Sequence, residues 1–156
     1  MNKPQELHWQ IVFNDNANYI IREADGSVSR DQNDWNKLCG VFYSLLNTRK
    51  DAAMIGWRYN LENDEIELSP YYHISKSRDM FPTLITAKRG ELIDIKLNVD
   101  YVEKKYKWNI KTENNSVNHE MAFTHNKNFC SLINFYFGGN REAPQTVSAE
   151  IGLEIK

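Results

Sequence analysis

In the stretch ELIDIKLNVDY (91–101), Ile93, Ile95, Leu97, Val99 and Tyr101 alternate with Asp94, Lys96, Asn98 and Asp100. Successive side chains of a β-strand point to opposite faces, so this segment has one apolar and one wet face. A strand covered on both sides in a parallel sheet reads instead as a continuous apolar run. The stretch is therefore an antiparallel strand, half buried. The same period extends outward in both directions. LHWQIVF (7–13) puts Leu7, Trp9, Ile11 and Phe13 on one face. KKYKWNIK (104–111) turns Tyr106, Trp108 and Ile110 inward, and DEIELSPYYHI (64–74) does so with Ile66 and Leu68. In TVSAEIGLEIK (146–156), Val147, Ala149, Ile151, Leu153 and Ile155 share a face.

Two segments, KLCGVFYSLL (37–46) and DAAMIGWRYN (51–60), are apolar on both faces, as central or doubly covered strands are. The best helical candidate is a single turn around Asp34 to Leu38. TENNSVNHEMAFTHNKN (112–128) is poor in β-branched residues and reads as a long loop with a short strand at Met121 to Phe123. Asn14-Asp15-Asn16, Asp25-Gly26, 60–64, Arg89-Gly90, Asn114-Asn115 and Gly138-Gly139 supply turn chemistry between the runs. About ten short strands at regular spacing, without linker or repeat, predict an all-β antiparallel sandwich with almost no helix, one domain spanning 1–156.

Composition narrows the partners. Nineteen Lys and Arg against 21 Asp and Glu give a net charge of −2, without the basic excess of a nucleic-acid-binding domain. No run approaches the roughly 18 apolar residues of a membrane span. The opening MNKPQELHWQ lacks an apolar core segment, so no secretory signal is expected. Cys39 and Cys130 sit inside apolar runs and belong to no ligand spacing, which predicts two buried free thiols.

A resemblance sharpens the fold. FYFGGNREAPQTVSAEIGLEI (135–155), NKLCGVFYSLLNTRKDAAMIGWRYN (36–60) and ELSPYYH (67–73) resemble the strands of concanavalin-A-like jelly-roll domains, including those of small tailed-phage and gut-bacterial proteins. The resemblance implies a jelly roll and places lectins, polysaccharide lyases and virion proteins among the functions to weigh. It also implies assembly in a host cytoplasm and residence in a virion. One architecture hosts many functions, so the site must decide.

The candidate site is a sheet face. With Trp57 and Tyr59 inward, Arg58 faces the other way; with Ile66 and Leu68 inward, Glu67, Tyr71 and His73 share that opposite face. Arg58 could fork a carboxylate, a tyrosine ring could stack on a sugar, and Tyr, His and Arg together could abstract a proton. Lys107 and Asn109 are candidate neighbours. The triplet and Arg/Glu-rich strand associated with alginate-type lyases have no counterpart. The oxygen-rich groups Asp31/Asn33/Asp34 and Asn14/Asp15/Asn16 fall short of a calcium loop, which needs about six to eight oxygens, and read as turns. No cofactor or metal is expected. Three functions follow in order: a non-enzymatic structural or decoration subunit of a larger oligomeric assembly, a carbohydrate-binding module using this face, and a polysaccharide lyase.

Overall fold

The computed structural model describes residues 4–44, 51–74, 77–127, 129–138 and 141–156. Two antiparallel sheets face each other across one apolar core. The strands are β1 (Glu6–Phe13), β2 (Asn36–Phe42), β3 (Ala52–Asn60), β4 (Glu65–Ile74), β5 (Ser77–Met80), β6 (Ile85–Ala87), β7 (Leu92–Asp100), β8 (Lys105–Lys111), β9 (Ser116–Ala122), β10 (Ser131–Ile133) and β11 (Ala149–Ile155). The first sheet runs β11-β1-β7-β8-β9 and the second β10-β2-β3-β4-β5, with β6 pairing β4. This is the predicted all-β sandwich, and its architecture is compatible with a jelly roll.

The core forms where the alternating faces meet. Ile93, Ile95 and Leu97 are fully buried, as are Leu7, Ile11 and Phe13 of the neighbouring strand β1. Trp57 is 0% exposed and Trp108 2%, so the register of both strands is as the alternation predicts. Trp57 stacks on Phe135 with centroids 5.3 Å apart and tilts against Phe13 at 4.9 Å. Cys39 and Cys130 are buried thiols outside any disulfide.

β3 is buried on both faces. Inward go Ala53, Ile55 and Trp57; outward, Ala52 and Met54 join Ile133, Phe42 and Tyr71 in a second, small apolar cluster. Beside it Gly40, at φ +146°, comes so close to β3 that a Cβ would collide with the Ala53 carbonyl oxygen and Met54 Cα. Only glycine has both the φ and the room.

Three expectations are corrected. The helical turn lies at Arg30–Asn33, not Asp34 to Leu38; Ser29 caps it, and β2 has begun by Asn36. The supposed loop 112–128 contains the full strand β9, whose alternation of Val117, His119 and Met121 with Asn118 and Glu120 is muted because an edge strand is only half covered. Gly138, one of the pair read as a tight turn, does not use the positive φ that glycine allows; its N–H instead donates to Asn36 Oδ1 at 2.9 Å. Gly139 and residues 45–46 of the doubly apolar run lie outside the described residues.

Candidate functional site: the outer face of the second sheet

Pairing of β3 with β4 sets Arg58 opposite Glu67, Met54 opposite Tyr71 and Ala52 opposite His73. All four candidate residues therefore lie on one face, as predicted. They do not form one constellation. Glu67 and His73 are six residues apart on a strand, roughly 20 Å at about 3.3 Å per residue, so the face divides into two groups.

At the Arg58 end every partner is internal. Arg58 Nε donates to Glu67 Oε2 at 2.6 Å, and its terminal nitrogen donates to the Asn33 carbonyl at 2.9 Å. The guanidinium carbon sits 4.4 Å from the Trp35 ring centre, and the same ring lies against Gly56, where a larger side chain would press on it. Glu67 is 8% exposed, and its second oxygen accepts from Asn60 Nδ2 at 2.7 Å. Burial pushes the Glu67 carboxyl up, but hydrogen bonds from Asn60, Arg58 and Thr83 outweigh it and hold the group below its ordinary value. Residues 81–84 lie alongside: the Ser69 hydroxyl donates to the Phe81 carbonyl at 2.6 Å, and Leu84 N–H to the Leu68 carbonyl at 2.8 Å. The carboxylate fork expected of Arg58 is thus engaged by Glu67.

At the other end Tyr71 is partly exposed and His73 is 6% exposed, their rings 5.2 Å apart. A base acting on a substrate must come within hydrogen-bond reach of it. His73 lies below the surface. Register brings Arg78 beside His73 and Met80 beside Tyr71. Both β5 residues are exposed, and periodicity did not single them out, because a four-residue strand carries too little pattern. Lys107 and Asn109 belong to β8 in the first sheet, on the opposite side of the sandwich, so they cannot join this face.

The oxygen-rich clusters are tied into turns. Asn16 Oδ1 accepts from the Ser148 N–H at 3.0 Å, and Asp31 accepts from Arg141 Nε at 3.0 Å, pinning the 141–148 segment to the body. Asp15 begins a short 3-10 turn, Asp15–Ala17.

A second titratable group was not foreseen. His125 Nε2 and the Tyr106 hydroxyl are 2.8 Å apart, with the Tyr43 ring 4.2 Å and the Phe123 ring 4.6 Å away. Burial brings His125 down to about 4. Tyr106 is wholly buried, so this cluster ties one end of the core together.

β11 differs from every other strand. Its register with β1 is unbroken from Leu7↔Ile155 to Phe13↔Ala149. That places Ile151, Leu153 and Ile155 on the core side, yet they are 41%, 41% and 46% exposed, with no cover among the described residues of the second sheet. The alternation was legible; the missing cover was not.

Fold and surface define an antiparallel β-sandwich whose candidate face is knitted by internal polar contacts and whose terminal edge strand is apolar and uncovered. Comparisons with protein families, curated proteins and solved structures return no match for the chain.

Proposed function

We propose that this chain is a structural subunit of a larger assembly, built on a concanavalin-A-like jelly roll and working through contacts with other protein subunits. The observation that carries the reading is the apolar row of Ile151, Leu153 and Ile155, exposed beside the unpaired backbone of a long edge strand. Natural sheets normally blunt such an edge with proline, bulges or charge, because it invites another chain to pair. β11 keeps the feature, which suits a strand meant to be covered. Two observations agree with it: Arg58 and Glu67 satisfy each other, and the charge balance gives no field for nucleic acid. A tailed-phage virion component is the finer form of this reading, supported by the resemblance of residues 36–60, 67–73 and 135–155.

A second reading, glycan binding, is favoured by Tyr71, whose partly exposed ring adjoins Met80, with Arg78 one step further along β5. Light scattering across a concentration series, followed by a glycan array, separates the two. The assembly reading expects a mass above the 18.3 kDa of one chain and no glycan signal. A monomer at every concentration that binds glycan, and loses it in Tyr71→Ala, would replace it.

A further inference from the structure

We infer that β11 pairs with β11 of a second copy, antiparallel across a two-fold axis at Leu153, joining two five-stranded sheets into one. The inference rests on the assembly reading and names its partner. Hydrogen-bond direction fixes which residues are available. The Lys156 N–H donates to the Glu6 carbonyl at 2.9 Å, and the Asn14 N–H to the Ser148 carbonyl at 3.1 Å. Antiparallel ladders alternate, so the even-numbered residues between these ends turn their backbone groups toward β1. Ile151, Leu153 and Ile155 turn theirs to the open edge, where they have no partner among the described residues.

The other edges are less inviting. β5 has four residues and β10 three, and short edges template little. β9 is as long as β11, but its apolar Val117 and Met121 are already packed against the core and its outward Ser116, Asn118 and Glu120 are polar. β11 has no proline, no bulge and no charge among its core-side residues.

Charge then selects the register. With Leu153 opposite Leu153 of the second copy, Ile151 meets Ile155, Glu154 meets Gly152, and Glu150 meets Lys156, twice over by symmetry. Isologous pairing of this kind closes after two subunits. Centring on Gly152 would set Glu150 against Glu154, and centring on Glu154 would set it against itself. Like charges directly opposite are destabilising, and opposite charges favourable. Centring on Ile151 opposes no charges, and centring on Ile155 sets Glu154 against Lys156 but pairs only residues 154–156; the Leu153 centre joins opposite charges to apolar pairs along the whole run 150–156.

The test uses the full chain. Directly opposed residues of a hydrogen-bonded antiparallel pair have Cα atoms about 5.5 Å apart, inside the disulfide range of about 4.4–6.8 Å. Leu153→Cys should therefore give a covalent dimer on oxidation, read on a non-reducing gel. The buried native thiols leave wild type as the blank. Gly152→Cys, offset from its own copy by about 8 Å in this register, should not crosslink. In light scattering Glu150→Lys should weaken self-association about tenfold, and adding Lys156→Glu should restore it. Equal crosslinking at Gly152 and Leu153, or no rescue by the second charge reversal, overturns the inference. Oligomers that form without a Leu153 crosslink overturn this partner and leave the assembly reading standing. A monomer at all concentrations overturns the inference, and one that also binds glycan through Tyr71 overturns the assembly reading with it.

Discussion

Arg58 shows how a residue that looks free in sequence becomes structural in the fold. Its guanidinium joins Glu67, the Asn33 carbonyl and the Trp35 ring, three groups brought together by β3, β4 and the turn before β2. Arg58→Ala should cost about 2 kcal/mol, the range of a charge-assisted hydrogen bond lost at a mostly buried acceptor. Arg58→Lys should recover only part of it, since an ammonium neither forks nor stacks like a guanidinium. Chemical denaturation measures both. Glu67 adds a pH signature. Its carboxyl is held below its unfolded value of about 4.3, so its contribution is complete above that pH and is lost as the pH falls through the folded value. Glu67→Gln should remove that acid-side loss. Gly40→Ala belongs to the same scale: an added Cβ meets β3 backbone that cannot move aside, and unfolding measurements should record a loss of about 2–4 kcal/mol.

At the scale of elements, alternation carried most of the reading. β1, β7 and β8 bury the residues their period assigns, and Trp57→Ala or Trp108→Ala should cost about 3–5 kcal/mol in denaturation. The four candidate residues share a face because β3 and β4 are adjacent antiparallel strands. Their separation into two groups was not legible, because period gives the face of a residue and not its partners. Trp35, whose ring meets Arg58, and residues 81–84, which run along β4, lie outside any alternating run. β9 was missed because its core-side positions hold Val, His and Met, a weak contrast to Asn and Glu. β11 failed in the other sense: an apolar row marks the side that faces the core, but only the extent of the opposite sheet says whether it is covered. The end of the core formed by Tyr106, Phe123 and His125 also makes a pH prediction. Burial holds His125 neutral down to about 4, and burial also lowers His119. The unfolded chain takes up protons on both from about pH 6.5 downward and the folded chain takes up fewer, so stability should fall as the pH drops toward 4. Thermal melts of wild type and His125→Gln check this. The variant should lose part of the slope, with the remainder belonging to His119. An unchanged slope would mean His125 protonates freely in the folded state.

The whole molecule carries one asymmetry. Two sheets share a core, yet the first extends beyond the second at β11, leaving Ile151, Leu153 and Ile155 uncovered beside open backbone groups. The central claim is that this edge is occupied by another copy of the chain, and residue-resolved amide exchange at low and high protein concentration tests it most directly. The N–H groups of Gly152 and Glu154 point to β1 and should be protected at both concentrations. Those of Ile151, Leu153 and Ile155 point to the open edge; they should exchange rapidly in dilute protein and become protected as concentration rises. Fast exchange of these three amides at every concentration, with Gly152 and Glu154 still protected, would contradict the account.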